Sequence, residues 1–299
     1  MPQIEPTGHI PVLLEETIRV LDAKPGDRIL DVTLGLGGHA AALAEHLQGR
    51  GELVALDADE ANLTLAKERL AGLQVETHFI HANFASIATL NLGEFDVILA
   101  DLGLNSLHVD DATRGFSFRF EGPLDLRFDR ALGQTAAEKI AESSEEELIT
   151  AFREYGELRF AGKLAGIIQR RAPKTTGELK AAVEEWGGRR APSLLPQVFQ
   201  ALRVWVNDEL GALDKLLEAV PGLLRPGGRA GIISFHSLED RRVKHAFRAL
   251  TDPPRDELTG KRGLAPFELL TPKAIRPDQA EVAQNSRSRS ALLRAIRRR

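Results

Sequence analysis

The stretch that most constrains this chain is ILDVTLGLGGHA, Ile29 to Ala40. An apolar run ends in Asp31, Thr33 leads into a turn carrying Gly35, Gly37 and Gly38, and the chain leaves as HAAALAEHL, a helical pattern. Strand, glycine turn and helix in that order open a βαβ unit, where backbone without Cβ atoms lets a ligand approach closely. A second apolar run, ELVALD, ends in Asp57, about twenty residues past the turn, where such units place a carboxylate for ribose hydroxyls. The expectation is a nucleoside cofactor laid across the turn. The alternative is that the glycines merely permit tight strand-to-helix packing.

At 299 residues, 43% hydrophobic and 27% charged, the chain is long enough for one large domain or two smaller ones. It contains no cysteine, which excludes disulfides, thiolate metal sites and cysteine nucleophiles. No apolar run approaches the roughly 18 residues of a membrane span, and Met1 to Gly8 lacks the basic start and apolar core of a signal peptide, so a cytoplasmic protein with no membrane partner is expected. The net charge of −4 offers no general attraction for nucleic acid, but Arg287 to Arg299 holds six arginines and no acid. Any nucleic-acid contact must therefore be local.

Taken in order, Val12 to Leu21 reads as a short amphipathic helix stopped by Pro25-Gly26, and Arg28 to Thr33 as the first strand. Glu52 to Asp57 is the second strand, Glu60 to Ala71 a helix, Val75 to His81 the third strand and Phe95 to Asp101 the fourth. Strict alternation of strand and helix implies an α/β fold, a mostly parallel doubly wound sheet with right-handed crossovers. From Leu107 to Glu209 the rhythm breaks into helical patterns, with capping-box spacings at Thr135/Glu138 and Ser144/Glu147. It resumes with a helix over Asp208 to Leu224, the turn RPGGR and a strand over Ala230 to Phe235. Two further apolar runs, Phe267 to Leu270 and Ala291 to Ile296, can close the sheet. The expected organisation is a Rossmann-like core over 1–108 and 209–299, interrupted by an inserted helical domain over 109–208. Between the last strands, the stretch from Asp252 to Asp278 is rich in proline and mixed charge and reads as a long loop.

Three chemistries compete for the glycine turn. A phosphate-binding P-loop needs lysine and Ser/Thr after its last glycine, and His39-Ala40 stand there instead. A nicotinamide dinucleotide is compatible, because Gly35, Gly37 and Ala40 satisfy the permissive G-x-G-x-x-G/A pattern. S-adenosylmethionine is the third choice: Asp31 and the glycine backbone would meet its methionine and ribose parts, and Asp57 its ribose diol. The fourth strand then runs into Asp101, at a carboxyl end of the sheet beside the crevice where ligands bind in open α/β folds. A methyl acceptor that is an exocyclic amine has its lone pair delocalised into a ring, and an oxygen acceptor can draw it toward attack. Asp101 or the Asn105 side-chain oxygen can supply that bond within about 2.6–3.2 Å; a loop or helix cap is the structural alternative for Asp101.

Six motifs then carry a family resemblance: Asp31-Val-Thr-Leu-Gly-Leu-Gly-Gly-His39, Asp101-Leu-Gly-Leu-Asn-Ser106, Arg114-Gly-Phe-Ser-Phe118, Gly122-Pro-Leu-Asp-Leu-Arg127, Gln200-Ala-Leu-Arg-Val-Trp-Val-Asn207 and Ser234-Phe-His-Ser-Leu-Glu-Asp-Arg241. In this order they resemble the bacterial MraW/RsmH family, and the resemblance runs from His9 to the closing Asn285-Ser-Arg-Ser-Arg-Ser290. It implies a class I methyltransferase that moves a methyl group from S-adenosyl-L-methionine to N4 of a cytosine in the decoding region of 16S ribosomal RNA, with the small ribosomal subunit as partner. By the resemblance, Gly37, Gly38, His39, Asp57, Phe84, Asp101 and His108 match cofactor contacts. Two positions depart from the family pattern: Asn105-Ser106 stands in place of a serine pair, and Leu158 in place of a common arginine.

The RNA would meet the insert and the late loops. Arg114, Phe116 and Phe118 combine a cation with two rings, suited to a phosphate and an extruded base, or to core packing. Asn207 lies in the amphipathic pattern ALRVWVNDEL, where Leu202, Trp205 and Val206 form the expected buried stripe. His236 follows the fifth strand on the rim that carries Asp101, as a substrate contact or a structural hydrogen-bonder. Arg287 and Arg289 open the basic tail, which contacts the RNA backbone, is a solvated terminus, or flanks a last strand around Leu292-Leu293. The His81 and His108 pair is too isolated for a metal site, and no metal is expected. A non-catalytic nucleoside-binding assembly factor and an NAD-dependent oxidoreductase are the rival functions, and the chain is expected as a monomer or homodimer.

Overall fold

Apolar runs separated by helices become neighbouring parallel strands, because only a crossover of a dozen or so residues can carry the chain back to the same end of a sheet. The computed structural model describes residues 10–253, 260 and 263–299. His9, Met1 to Gly8 and part of the Asp252–Asp278 loop lie outside the described residues. The chain begins with helix α1 (Leu14–Leu21), strand β1 (Arg28–Asp31), α2 (Gly38–Glu45), β2 (Glu52–Asp57), α3 (Glu60–Leu70), β3 (Glu76–His81) and β4 (Phe95–Asp101). Helices α4 (Ser106–Asp110), α5 (Ala136–Glu142), α6 (Glu145–Glu154), α7 (Ala161–Arg171), α8 (Thr176–Gly187) and α9 (Ala191–Asn207) follow. The sheet resumes with α10 (Glu209–Leu223), β5 (Leu224–Ser234), α11 (Ser237–Thr251), β6 (Phe267–Leu269), α12 (Gln279–Gln284) and β7 (Leu292–Arg298).

The chain divides into two compact units, Met1–Gly103 with Gly211–Arg299, and Leu104–Leu210. The division falls a few residues earlier than the sequence expectation at its first boundary, so Asn105 and His108 belong to the second unit. In the first, the strands lie in the order β3-β2-β1-β4-β5-β7-β6. All neighbours from β3 to β5 are parallel, and β7 runs antiparallel to both β5 and β6. The order reverses between β1 and β4, which puts the ligand crevice of an open α/β sheet at the carboxyl ends of those strands.

Alternate residues of the central strands point to opposite faces, and both faces are dry. Ile29, Leu53, Val97 and Leu99 join Leu21, Leu43 and Leu63 on one side. Leu30, Val54 and Ile98 meet Leu213, Leu216, Val243 and Phe247, from α10 and α11, on the other. The RPGGR turn is part of β5: Phe95 pairs with Leu224 but Val97 pairs with Arg229, so the intervening residues form a bulge. Gly227 takes φ +82° there, which favours glycine.

The basic tail is an interior strand. Leu293, Ala295 and Ile296 are buried, and the arginines between and beyond them pair with acids of the same unit. Arg294 makes a two-pronged bond to Asp240, Arg297 reaches Glu268 at 2.5 Å and Arg298 reaches Glu94 at 3.1 Å. Truncation after Ile296 would therefore remove sheet pairing with β5 and β6.

The second unit has its own core of Phe152, Leu164, Ile168, Leu179, Val198 and Leu202. Both capping boxes form, at Thr135/Glu138 and Ser144/Glu147. On α9 the buried stripe is Val198, Ala201, Leu202 and Val204, while Trp205 and Val206 are only partly buried and pack against its edge. Trp205 also receives Lys139, whose ammonium lies 4.7 Å from the ring centroid.

Arg294→Ala should lower unfolding stability by about 2–4 kcal/mol, because it leaves the half-buried Asp240 carboxylate without its guanidinium. Urea denaturation measures this, and Arg299→Ala, whose partner contact is exposed, should change stability by less than about 1 kcal/mol.

Candidate active site

The loop after β1 is tied on both sides before any side chain is considered. Val32 N–H donates to the Leu99 carbonyl of β4, and Leu34 N–H to the Leu56 carbonyl of β2. Gly35 and Gly37 take φ of +53° and +75°, in the left-handed region. A Cβ on Gly38 would come within 2.5 Å of the Pro11 ring, so α2 can start where it does only with glycine there. Asp57, at the end of β2, completes the turn. Its Oδ2 accepts from Gly35 N at 2.7 Å, and its Oδ1 accepts from Asp59 N at 2.8 Å and from Asn62 Nδ2 at 3.2 Å. Asp57 is thus a structural acceptor for the turn.

Two further acids end the neighbouring strands. Asp31 is 1% exposed, and its Oδ1 accepts from Thr33 N at 3.0 Å. Burial, followed by the negative charges of Asp101 and Asp57, pushes its pKa up to about 7. Asp101 is held by its backbone: its N–H donates to Thr33 Oγ1 at 2.6 Å, and Gly103 N–H approaches its Oδ1 at 3.4 Å. Burial raises the Asp101 pKa as well, and His39 opposes the rise. His39 is buried on α2, with Nε2 2.9 Å from the Val12 carbonyl and Nδ1 3.5 Å from Asp101 Oδ2. Asp31, Gly37, Gly38, His39, Asp57 and Asp101 thus share one rim of the first unit. Phe84 opens the short 3-10 turn after β3, half-buried against the sheet core.

The sequence reading missed Thr33 as a hydrogen-bond partner of Asp101, Asp59 and Asn62 as partners of Asp57, and the Val12 carbonyl. The Asp57/Asp59 spacing carries a local signal, since aspartate often accepts from the backbone N–H two residues on. The Val12 contact spans 27 positions and has none.

The second unit places its predicted residues differently. Asn105 caps α4, its Oδ1 accepting from His108 N at 3.0 Å. His108 is buried, with ring centroids 5.2 Å from Phe116 and 5.3 Å from Phe128. Phe116 is 7% exposed and stacks on Phe128, so it packs the interior of its unit rather than offering a face to a base. Arg114, also 7% exposed, donates through Nη2 to the carbonyls of Arg127 at 3.0 Å and Phe128 at 2.9 Å rather than presenting its charge to a phosphate. Asn207 grips the same loop: Nδ2 donates to the Leu126 carbonyl at 2.7 Å, and Oδ1 accepts from Phe128 N at 2.9 Å. Leu126 has φ +64°, and these clamps hold it there.

His236 caps α11 instead of reaching outward. Its Nδ1 lies 3.4 Å from Glu239 N and its Nε2 3.0 Å from Glu239 Oε1, while Glu239 Oε2 accepts from Phe235 N at 2.7 Å. Arg287 and Arg289 lie exposed on the short turn before β7.

This strand order, with its one antiparallel insertion between β5 and β6 and its acids at the ends of β1, β2 and β4, is that of a class I S-adenosylmethionine-dependent methyltransferase. A model of the MraW methylase family matches residues 6–299, and the chain belongs to that family. It is 43% identical over 304 residues to a ribosomal RNA small subunit methyltransferase H from Symbiobacterium thermophilum, covering 96% of each chain. A protein of the same name from Gloeobacter violaceus is 46% identical over 297 residues, covering 98% of this chain and 88% of the relative. Another, from Methylobacillus flagellatus, is 42% identical over 316 residues, covering 100% and 97%.

The buried Asp31 makes a pH prediction. Its ordinary pKa is 3.8, and the folded protein holds its proton to about 7. Its contribution to stability is therefore full below its ordinary pKa and is lost as pH rises through the folded value. Asp31→Asn should gain stability over the wild type as pH rises across that window, with a slope approaching about 1.4 kcal/mol per pH unit. Urea denaturation of both proteins at a series of pH values tests this; a pH-independent difference refutes it.

Proposed function

We propose that the protein transfers the methyl group of S-adenosyl-L-methionine to the exocyclic N4 amine of a cytosine in the decoding region of 16S ribosomal RNA, within the small ribosomal subunit. The observation that carries this reading is the cluster of acids at the switch point: Asp31 is buried and Asp101 partly buried beside it, with His39 the single basic side chain paired with either among the described residues. Carboxylates withdrawn from water, one of them raised further by the other's charge, suit a cationic ligand, which a nicotinamide dinucleotide with its pyrophosphate is not. The names of the relatives, and the resemblance of the loops at Asp101 and Ser234–Arg241, support ribosomal RNA as acceptor.

In this reading Asp57 and the Gly35–Gly38 backbone hold the ribose, Asp31 and Asp101 face the cationic methionine end, and Phe84 covers adenine. The bound cofactor supplies an electrophilic methyl carbon whose bonding electron pair departs with sulfur. Asp101 accepts a hydrogen bond from the acceptor amine, drawing its lone pair out of the ring, and takes the proton that the nitrogen must lose. Asn105 Oδ1, the alternative acceptor, caps α4; the reading gives the bond to Asp101. Alignment of the two reactants supplies most of the remaining acceleration. The helical unit presents the RNA, and Arg287 and Arg289 contact its phosphates without reading sequence.

Purified protein and labelled cofactor, incubated with unmethylated 30S subunits, naked 16S RNA and 50S subunits, should yield N4-methylcytidine from the small-subunit RNA in at least one form and none from 50S. Its absence from every substrate overturns the reading, and an NAD titration by calorimetry should show no binding. Asp101→Asn should reduce turnover by about 10²-fold or more with a smaller change in cofactor affinity; equal loss of both would make Asp101 a cofactor ligand alone. Removing both Arg287 and Arg289 should weaken RNA binding and lower the slope of log affinity against log salt by roughly 2.

A further inference from the structure

We infer that His39 is a positioning residue for the methyl transfer: clasped through Nε2 by the Val12 carbonyl, its ring aims Nδ1 at Asp101 and sets whether that carboxylate is ionised when the amine arrives. The inference rests on the reaction proposed above and assigns to His39 a part distinct from contact with the cofactor.

The tautomer follows from the partners. A carbonyl oxygen carries no hydrogen, so at 2.9 Å from Val12 O the Nε2 atom must be the donor. In the neutral ring, Nδ1 then presents a lone pair, and it lies 3.5 Å from Asp101 Oδ2. Two acceptors facing each other in a buried site repel. The stable arrangement places one proton in that gap, either on Nδ1 beside an ionised Asp101 or on Oδ2 itself. Separations of this length in an unliganded site tighten when the reacting complex forms.

The surroundings decide where the proton resides. Burial drives Asp101 toward its neutral form, and so does the negative charge of Glu239 on α11. The charge of Asp101 in turn raises the pKa of Asp31 on β1. Opposing them are the His39 charge and the Gly103 N–H. A neutral Asp101 cannot take a proton. During transfer the acceptor nitrogen gains the bond to carbon and sheds one N–H proton, and Asp101 must be ionised to receive it. A proton on His39 Nδ1 supplies the countercharge that keeps Oδ2 ionised and leaves Oδ1, the oxygen near Gly103 N–H, to face the amine.

The test separates this role from a structural one. His39→Gln keeps an amide donor for Val12 but carries no charge; His39→Asn places a neutral amide nearer Asp101. In the full chain, the Asp101 carboxyl carbon, labelled and assigned by its disappearance in Asp101→Asn, is titrated by NMR. Its midpoint should rise by about one to three pH units in each folded variant. The acid limb of kcat on the small-subunit substrate should move upward with it, so that the variants recover at high pH. Imidazole ¹⁵N shifts should show the wild-type His39 protonated at Nε2. A purely structural role would lower kcat at every pH without moving the limb. An unmoved Asp101 midpoint, or a moved midpoint with an unmoved limb in an active enzyme, overturns the inference. If the wild type methylates nothing, the proposed function falls, while the carboxyl titration still decides the coupling of His39 to Asp101.

Discussion

The bond from Gly35 N–H to Asp57 Oδ2, at 2.7 Å, is the contact on which the rim of the first unit depends. It joins the turn after β1 to the end of β2 and holds the left-handed backbone of Gly35 in place. With the turn pinned there and by Leu34 to Leu56, α2 begins at Gly38, and His39 in its first turn comes to face Asp101. A ligand carboxylate in an enzyme is often pictured as waiting for its ligand. Here Asp57 is already a structural acceptor, so loss of its charge disturbs the turn as well as any ribose contact.

Burying acids is unfavourable unless their charge is compensated. Asp31 and Asp101 are compensated only partly, by single backbone N–H groups, by the Thr33 segment and by His39. The fold tolerates this because both strands end at the switch point, where the sheet opens and side chains of adjacent strands converge without a covering helix between them. The remaining imbalance marks the place where a cation is favoured.

Much of the architecture could be read from the sequence because the signals are local. The runs ending in Asp31, Asp57 and Asp101, the alternation that buries both faces of β1, β2 and β4, and the capping boxes at Thr135 and Ser144 each occupy a few consecutive residues. The positions that moved did so through distant partners. Six arginines in thirteen residues read as a solvated terminus, an RNA contact or the flanks of a last strand, and distant partners select the strand: Arg294, Arg297 and Arg298 find Asp240, Glu268 and Glu94 once β7 inserts between β5 and β6. Arg114 and Phe116 carry the residue types of a base-binding loop, yet their unit uses them, with Asn207, to clamp a strained segment around Leu126.

The sequence by itself determined the class of fold and the acids that end β1, β2 and β4, since period, glycine spacing and strand-end residues need only neighbours along the chain. Only the tertiary structure decided which polar groups are committed to the protein's own backbone and which remain for a ligand. It joined His39 to Val12 and Asp101, turned His236 into a cap, and drew Arg294, Arg297 and Arg298 into ion pairs. Those choices depend on distances between residues far apart in the chain, and a single sequence contains no local pattern that encodes them.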